Sequence, residues 1–316
     1  MSAGAGGSAP LPAQGSPALA PPAPVPPAPP TGCHGQAPAP PLLEVDGLTV
    51  AFPSRDGSWS EAVRDVSFTL GRERLGIVGE SGSGKTQTGR AIMGLTAPEG
   101  RVTARRLAFS GIDLLRCPPR ERRALRGGRI AMVLQDPKFS LNPVMTIGAQ
   151  IAETLRAHRQ VTGREARART LAALESVQID DPERVYRLFP HEVSGGMGQR
   201  AMLAMMLIAE PDLLIADEPT SALDVTVQLQ VLDILDRLVA QRGMGLIFVS
   251  HDLRLVSTFC DRILVMYAGR MLEELPAGNL AQARHPYSIG LLNCLPRLGG
   301  GAHPLPTLDR RPEWAR

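Results

Sequence analysis

Short apolar runs recur along the chain and alternate with longer stretches of helical period. Leu43-Glu44-Val45, Leu48-Thr49-Val50-Ala51-Phe52 and Val66-Ser67-Phe68-Thr69-Leu70 place apolar residues at alternate positions and predict half-buried strands. Leu75 to Val78, Leu107 to Leu114 and Ile130 to Leu134 continue the strand count. After Asn142-Pro143 the period lengthens. Helices are predicted over Ile147 to His158 and over Gly163 to Val177, where Leu171, Leu174 and Val177 form a stripe. Another opens at Ser194-Gly195-Gly196 and runs to about Ala209. Strand character returns at Leu213 to Ala216, Leu246 to Val249 and Ile263 to Met266. Between the first two lies Val225 to Arg242, an amphipathic helix with Val231, Leu235 and Leu238 inward and Asp233, Asp236 and Arg237 outward. Strands alternating with helices predict an α/β core with a mostly parallel sheet, and the helices of about 140–208 predict a separate lobe.

The strand ending at Val78 runs into Gly79-Glu80-Ser81-Gly82-Ser83-Gly84-Lys85-Thr86, the pattern GxxxxGK[ST] followed by a helical segment. A triphosphate crowds negative charges, and closely spaced backbone N–H groups can hold it. Gly79, Gly82 and Gly84 let the backbone wrap without Cβ clashes. The helix opening at Gly84 adds its unpaired N–H groups and positive dipole end. In this reading Lys85 reaches the β- and γ-phosphates and Thr86 ligates Mg²⁺. The dinucleotide fingerprint GxGxxG is a poor rival, because Lys85-Thr86-Gln87 follows Gly84 where a third glycine is needed.

Composition narrows the picture. A chain of 316 residues can bury one large core or two smaller ones. The net charge of +3 demands no polyanion, and the arginines dense between Arg101 and Arg129 read as solvated surface rather than a nucleic-acid face. Cys33, Cys117, Cys260 and Cys294 have no CxxC spacing, so neither a disulfide framework nor a zinc or iron–sulfur site is predicted, and a reducing compartment fits. No apolar run reaches the ~18 residues of a membrane span, so a membrane role has to come through a partner. Residues 1–41 hold no charged residue and neither a basic start nor a leucine-rich core. They predict a disordered Pro/Ala-rich tail and not a signal peptide.

Further chemistry gathers at predicted strand ends. Asp217 and Glu218 follow the apolar run Leu213 to Ala216, on the edge where such sheets bind ligands. Asp217 can hold Mg²⁺ through water, and Glu218 can accept the proton of an attacking water. His251 follows the next strand and is a candidate to contact the γ-phosphate, while Gln135 follows Ile130 to Leu134 and can orient water or a metal ligand. Ser194, Gly195 and Gly196 open a helix and make a second anion site. A helical lobe is poorly placed to fold that site onto its own phosphate loop. The economical solution is a head-to-tail pair in which Ser194 of one chain caps the γ-phosphate held by the other.

Taken in order and spacing, Gly79 to Thr86, Gln135, Val193 to Met197, Asp217-Glu218, Ser221 to Asp224 and His251 resemble the motifs of ABC-type ATPases. More narrowly, Gln135 to Pro143, Pro190 to Met197, Ala216 to Thr226 and His285-Pro286-Tyr287 are similar to the ATP-binding subunits of oligopeptide, dipeptide and nickel importers. The resemblance covers about Leu43 to Arg297. It implies an ABC ATPase domain over about 42–275: a P-loop NTPase core, an antiparallel β subdomain and an inserted α-helical subdomain. A short oligopeptide-transporter-type extension over 276–316 would follow. It also implies ATP and Mg²⁺ as ligands, with Thr86, Gln135 and Asp217 on the metal and adenine stacked on Phe52. The implied partners are a second ATPase subunit, homologous or identical, two transmembrane permease subunits that Gln135 and the helical lobe couple to, and indirectly a solute-binding protein. The implied location is the cytoplasmic face of the inner membrane.

The chain departs from that pattern at Gly198, where the family has arginine, and in lacking a cysteine-rich C-terminal extension, so no iron–sulfur cluster is expected. Two alternatives stand beside the importer. A nucleic-acid-directed ABC ATPase would carry long heptads or zinc cysteines, and this chain has neither. An ATPase subunit of a metabolic enzyme complex, of the carbon–phosphorus lyase kind, is compatible with the same motifs.

Overall fold

The computed structural model describes residues 40–134, 141–221, 224–294 and 311–315. The expected tail up to residue 39 and Gln135 lie outside the described residues. The chain opens with the antiparallel pair β1 (Leu43–Pro53) and β2 (Trp59–Leu70), then enters β3 (Arg74–Val78) and, through the glycine loop, α1 (Lys85–Met93). Three short strands follow. β4 (Arg101–Thr103) and β5 (Arg106–Phe109) both pair with β1, and β6 (Ile112–Asp113) pairs with β5, all antiparallel. The run Leu107 to Leu114 is therefore a hairpin and not one strand. Ser110 at φ 47° and Gly111 at φ 80° make the reversal, which counting apolar residues cannot see.

α2 (Pro119–Leu125) and β7 (Ile130–Val133) precede the helical stretch α3 (Ile147–His158), α4 (Gly163–Ser176), α5 (Pro182–Arg187) and α6 (Gly195–Leu207). The start of each helix in that stretch has a side-chain acceptor. Thr146, Thr162, Asp181 and Ser194 accept backbone N–H groups of the first turns, each cap contributing about 1 kcal/mol. The remainder is β8 (Leu213–Asp217), α7 (Val225–Arg242), β9 (Gly245–Ser250), α8 (Leu253–Phe259), β10 (Arg262–Tyr267), β11 (Arg270–Pro276) and α9 (Pro286–Asn293). Asp224 and Asp252 cap α7 and α8.

The second sheet runs β11-β10-β3-β9-β8-β7. All its pairs are parallel except β10 with β11. Its parallel strands are apolar at nearly every position because both faces are covered. Leu214 and Ala216 of β8, with Leu246 and Phe248 of β9, face a core shared with α3, α4, α6 and α7. Leu213 and Ile215, with Ile247 and Val249, face a second core shared with α1 and the antiparallel sheet. The register aligns the strand ends: Val78 lies beside Ser250, and Asp217 beside Val249. Three connections of the parallel sheet thus leave from one edge, which is where ligands bind in open α/β sheets.

Several of the arginines between Arg101 and Arg129 form ion pairs through side chains that stay partly exposed. Arg105 pairs with Asp46 and Asp65, Arg106 with Glu44, and Arg129 with Asp212. No helix among the described residues is long and apolar enough to cross a membrane.

Candidate functional site

At the edge of the parallel sheet the backbone turns tightly after Val78. Gly79 has φ 155°, and a Cβ there would lie 2.1 Å from the Met266 carbonyl oxygen. Gly84 has φ 99°, and its Cβ would lie 2.5 Å from the Ala62 carbonyl. Only glycine fits either place. Ala62 comes this close because β1 and β2 shift register between Val50 and Ala51, which leaves Ala62 without a paired residue. The β10–β11 turn supports the loop from another side: the Gly269 N–H donates to the Ser83 carbonyl at 3.1 Å, and the Arg64 N–H donates to the Gly269 carbonyl at 2.7 Å. Neither Ala62 nor Gly269 was identified from the sequence, since a bulge and a turn contact leave no periodic signal.

Lys85 lies inside the loop. Its Nζ donates to the Gly79 and Glu80 carbonyls at 2.8 Å each, and to Ser83 Oγ at 3.4 Å. Burial pulls its pKa down, while the charges of Glu218, Asp217 and Glu80 oppose that shift. Thr86, in the first turn of α1, donates its hydroxyl to Asp217 Oδ1 at 3.0 Å. Asp217 is buried at the end of β8, and desolvation raises its pKa against the Thr86 hydrogen bond.

Glu218, one residue on, has φ 47°, a left-handed conformation that is costly for a residue with a side chain. Its N–H donates to the Val249 carbonyl at 2.9 Å, and its own carbonyl accepts from the Ser221 N–H and hydroxyl, both at 3.2 Å. These bonds hold the reversal that turns the side chain toward His251, whose Nδ1 lies 3.0 Å from Glu218 Oε1.

These groups border a cleft of about 650 Å³ lined by Ala62, the loop from Ser81 to Gln87, Glu218 and His251. Asp217 is reached through Thr86. Gly79 and Glu80 are reached through Lys85, which donates to both carbonyls, while Phe52 and the turn Ser194-Gly195-Gly196 are not among the lining residues. Phe52 is half-buried on β1 and packs against the second core beside Gly100, where a Cβ would lie 2.7 Å from its ring. Ser194, Gly195 and Gly196 lie at the start of α6, with Ser194 exposed and its Oγ accepting the Met197 N–H at 3.3 Å.

A lysine-bearing glycine loop beside a buried acid, with a carboxylate and an imidazole in contact at the next strand ends, can hold polyphosphate and position water. The class so defined is a P-loop nucleoside triphosphatase. Residues 63–221 match the ABC transporter family. The oligopeptide transport ATP-binding protein OppD of Salmonella typhimurium is 45% identical over 284 residues, 89% of this chain and 84% of that protein. The dipeptide transport ATP-binding protein DppD of Haemophilus influenzae is 45% identical over 270 residues, 85% of this chain and 82% of that one. Among solved structures, the dimeric ATP-binding cassette MJ0796 in a post-hydrolysis state with ADP and Pi superposes with a TM-score of 0.66 at 26% identity, covering 75% of this chain and 99% of that chain. The chain belongs to the ABC transporter family and is an ABC ATPase.

Proposed function

We propose that this chain is the ATP-hydrolysing subunit of an importer for peptides, nickel or a similar small solute, working as one half of a head-to-tail ATPase pair. The observation that carries the reading is the convergence of Lys85, the Thr86–Asp217 pair and the Glu218–His251 pair on one cleft, with Ser194 outside its lining. The loop from Gly79 to Thr86 takes the phosphates: Lys85 keeps its bond to the Gly79 carbonyl and exchanges its 3.4 Å contact with Ser83 Oγ for a phosphate oxygen. Glu218 accepts the proton of the attacking water as the bond from the γ-phosphorus to the bridging oxygen breaks and ADP leaves. His251 orients Glu218 and faces the γ-phosphate.

Ser194, Gly195 and Gly196 of the partner cover that phosphate, while Phe52 marks the side where adenine stacks. A hydroxyl and a carboxylate in contact are hard oxygen donors of the kind magnesium takes, so Thr86 and Asp217 fit the ion, with Gln135 as a third proposed ligand. Magnesium, when bound, offsets the charge of the phosphate oxygens.

The ATPase domain spans about 42–275, with its helical part at about 140–208 and a C-terminal extension at 276–316. The peptide transport names of the relatives support the cargo class, and none of the relatives reported above points to an enzyme complex. Two permease subunits, and through them a solute-binding protein, complete the machine at the cytoplasmic face of the inner membrane.

Glu218→Gln tests the chemistry. The variant should bind ATP, hydrolyse it about 10²-fold or more slowly, and elute as a dimer in ATP. Brisk turnover by that variant would remove Glu218 from the base role.

A further inference from the structure

One peptide unit of the phosphate loop is held from both ends. The carbonyl of the Gly79–Glu80 peptide accepts from Lys85 Nζ at 2.8 Å, and the N–H of the same unit donates to the Tyr287 hydroxyl at 3.2 Å. A peptide is planar, so a partner at each end fixes the orientation of the whole plane. Lys85 comes from the helix the loop feeds, but Tyr287 lies 207 residues beyond Glu80, on α9.

Tyr287 is itself firmly seated. It is the largest fully buried side chain among the described residues, at 0% exposure. Its ring packs against Tyr267 at 4.6 Å and Trp314 at 5.9 Å between centroids. The start of α9 is tied down as well. His285 Nδ1 accepts the Tyr287 N–H at 3.1 Å, and the Glu273 carboxylate of β11 accepts the N–H groups of Arg284 and His285 at 2.6 and 3.2 Å. A phenylalanine would fill the same space, so packing alone does not account for a tyrosine. Its hydroxyl, taken out of water, is bonded to a phosphate-loop amide.

We propose that Tyr287 is a positioning residue for the phosphate loop: its hydroxyl holds the Gly79–Glu80 peptide in the orientation on which Lys85 rests, and so links α9 to nucleotide affinity. The inference rests on the reading that this loop takes ATP. Linkage is reciprocal, so nucleotide in the loop must also steady α9.

The test uses the full chain and compares wild type, Tyr287→Phe, which keeps the ring, and Tyr267→Phe, which removes a hydroxyl from the same aromatic cluster. Titration with ATP and magnesium should give Tyr287→Phe a Kd roughly three- to tenfold above wild type, the loss expected for one hydrogen bond. Tyr267→Phe should stay within about twofold, since it keeps the ring and leaves the Tyr287–Glu80 bond in place. Amide hydrogen exchange at Glu80 should speed up in Tyr287→Phe. In wild type ATP should slow exchange over residues 286–293, and in Tyr287→Phe that protection should vanish. Equal ATP affinity of Tyr287→Phe and wild type overturns the proposal, as does an equal loss in Tyr267→Phe. Failure of wild type itself to bind ATP would instead overturn the assigned function and is read separately, from the wild-type titration.

Discussion

At Asp217 a carboxyl with 4% exposure ends β8, and burial raises its pKa although Thr86 donates to it. A carboxyl whose folded pKa is raised contributes fully to stability below its unfolded pKa of about 4, and loses that contribution as the pH climbs through the folded value. At neutral pH its charge is therefore a cost, and an amide has no charge to bury. Asp217→Asn should melt higher than wild type at neutral pH without nucleotide, and the gap should close toward about pH 4. The same variant should lose magnesium-dependent turnover. A melting point unchanged or lowered at neutral pH would mean that another group compensates the carboxylate. Residues of this kind are legible in a sequence because their chemistry is spelled in order: Lys85 and Thr86 close a glycine pattern, and Asp217 and Glu218 end an apolar run. The Glu218–His251 contact is legible only as a shared strand edge. Its 3.0 Å distance depends on the left-handed backbone at Glu218, which no neighbouring residue type announces.

Among the elements, α6 carries the clearest local oddity. Gly198 lies in its first turns, and a Cβ there would find only Val193 Cγ2, at 3.9 Å. Glycine inside a helix costs conformational entropy, and nothing crowds this one. Gly198→Ala should raise unfolding stability by about 0.5–1 kcal/mol, read from the shift of a urea midpoint at unchanged slope. Destabilisation would show that another group needs the space. Long elements with a strong period follow the sequence closely. α7 buries Val231, Leu235 and Leu238 and exposes Asp233, Asp236 and Arg237, and α3 spans Ile147–His158. The short ones do not. β4 has three residues and β6 two, and both exist because β1 and β5 offer open edges, a tertiary cause with no local signature. β2 starts at Trp59, ahead of the alternation that begins at Val66, because Pro53 and Phe52 of β1 pair with Trp59 and Ser60.

At the scale of the whole molecule, the cleft holds a loop, a base candidate and a histidine, while the serine-capped start of α6 is not among its lining residues. If a second chain supplies that serine, the rate per subunit depends on how often chains meet. ATP turnover per subunit should be constant at high protein concentration. Far below the dimer dissociation constant it should fall about tenfold for each tenfold dilution. A rate per subunit that ignores dilution would show that a single chain completes its own site. The proposed adenine contact is the least legible part of the candidate site. Phe52 can be picked out by resemblance, but its ring packs on the second core beside Gly100, a contact set by the β1–β4 pairing and not by any motif.

The sheet with oil on both sides has one more consequence. Sliding β8 by a single residue between β7 and β9 would exchange Leu213 and Ile215 for Leu214 and Ala216 without bringing grease to the outside. It would nevertheless carry Asp217 about 3.3 Å along the strand, away from Thr86. Such a molecule would stand out twice: Ala216 in place of Ile215 leaves a void that lowers the melting point, and the displaced Asp217 leaves the site idle.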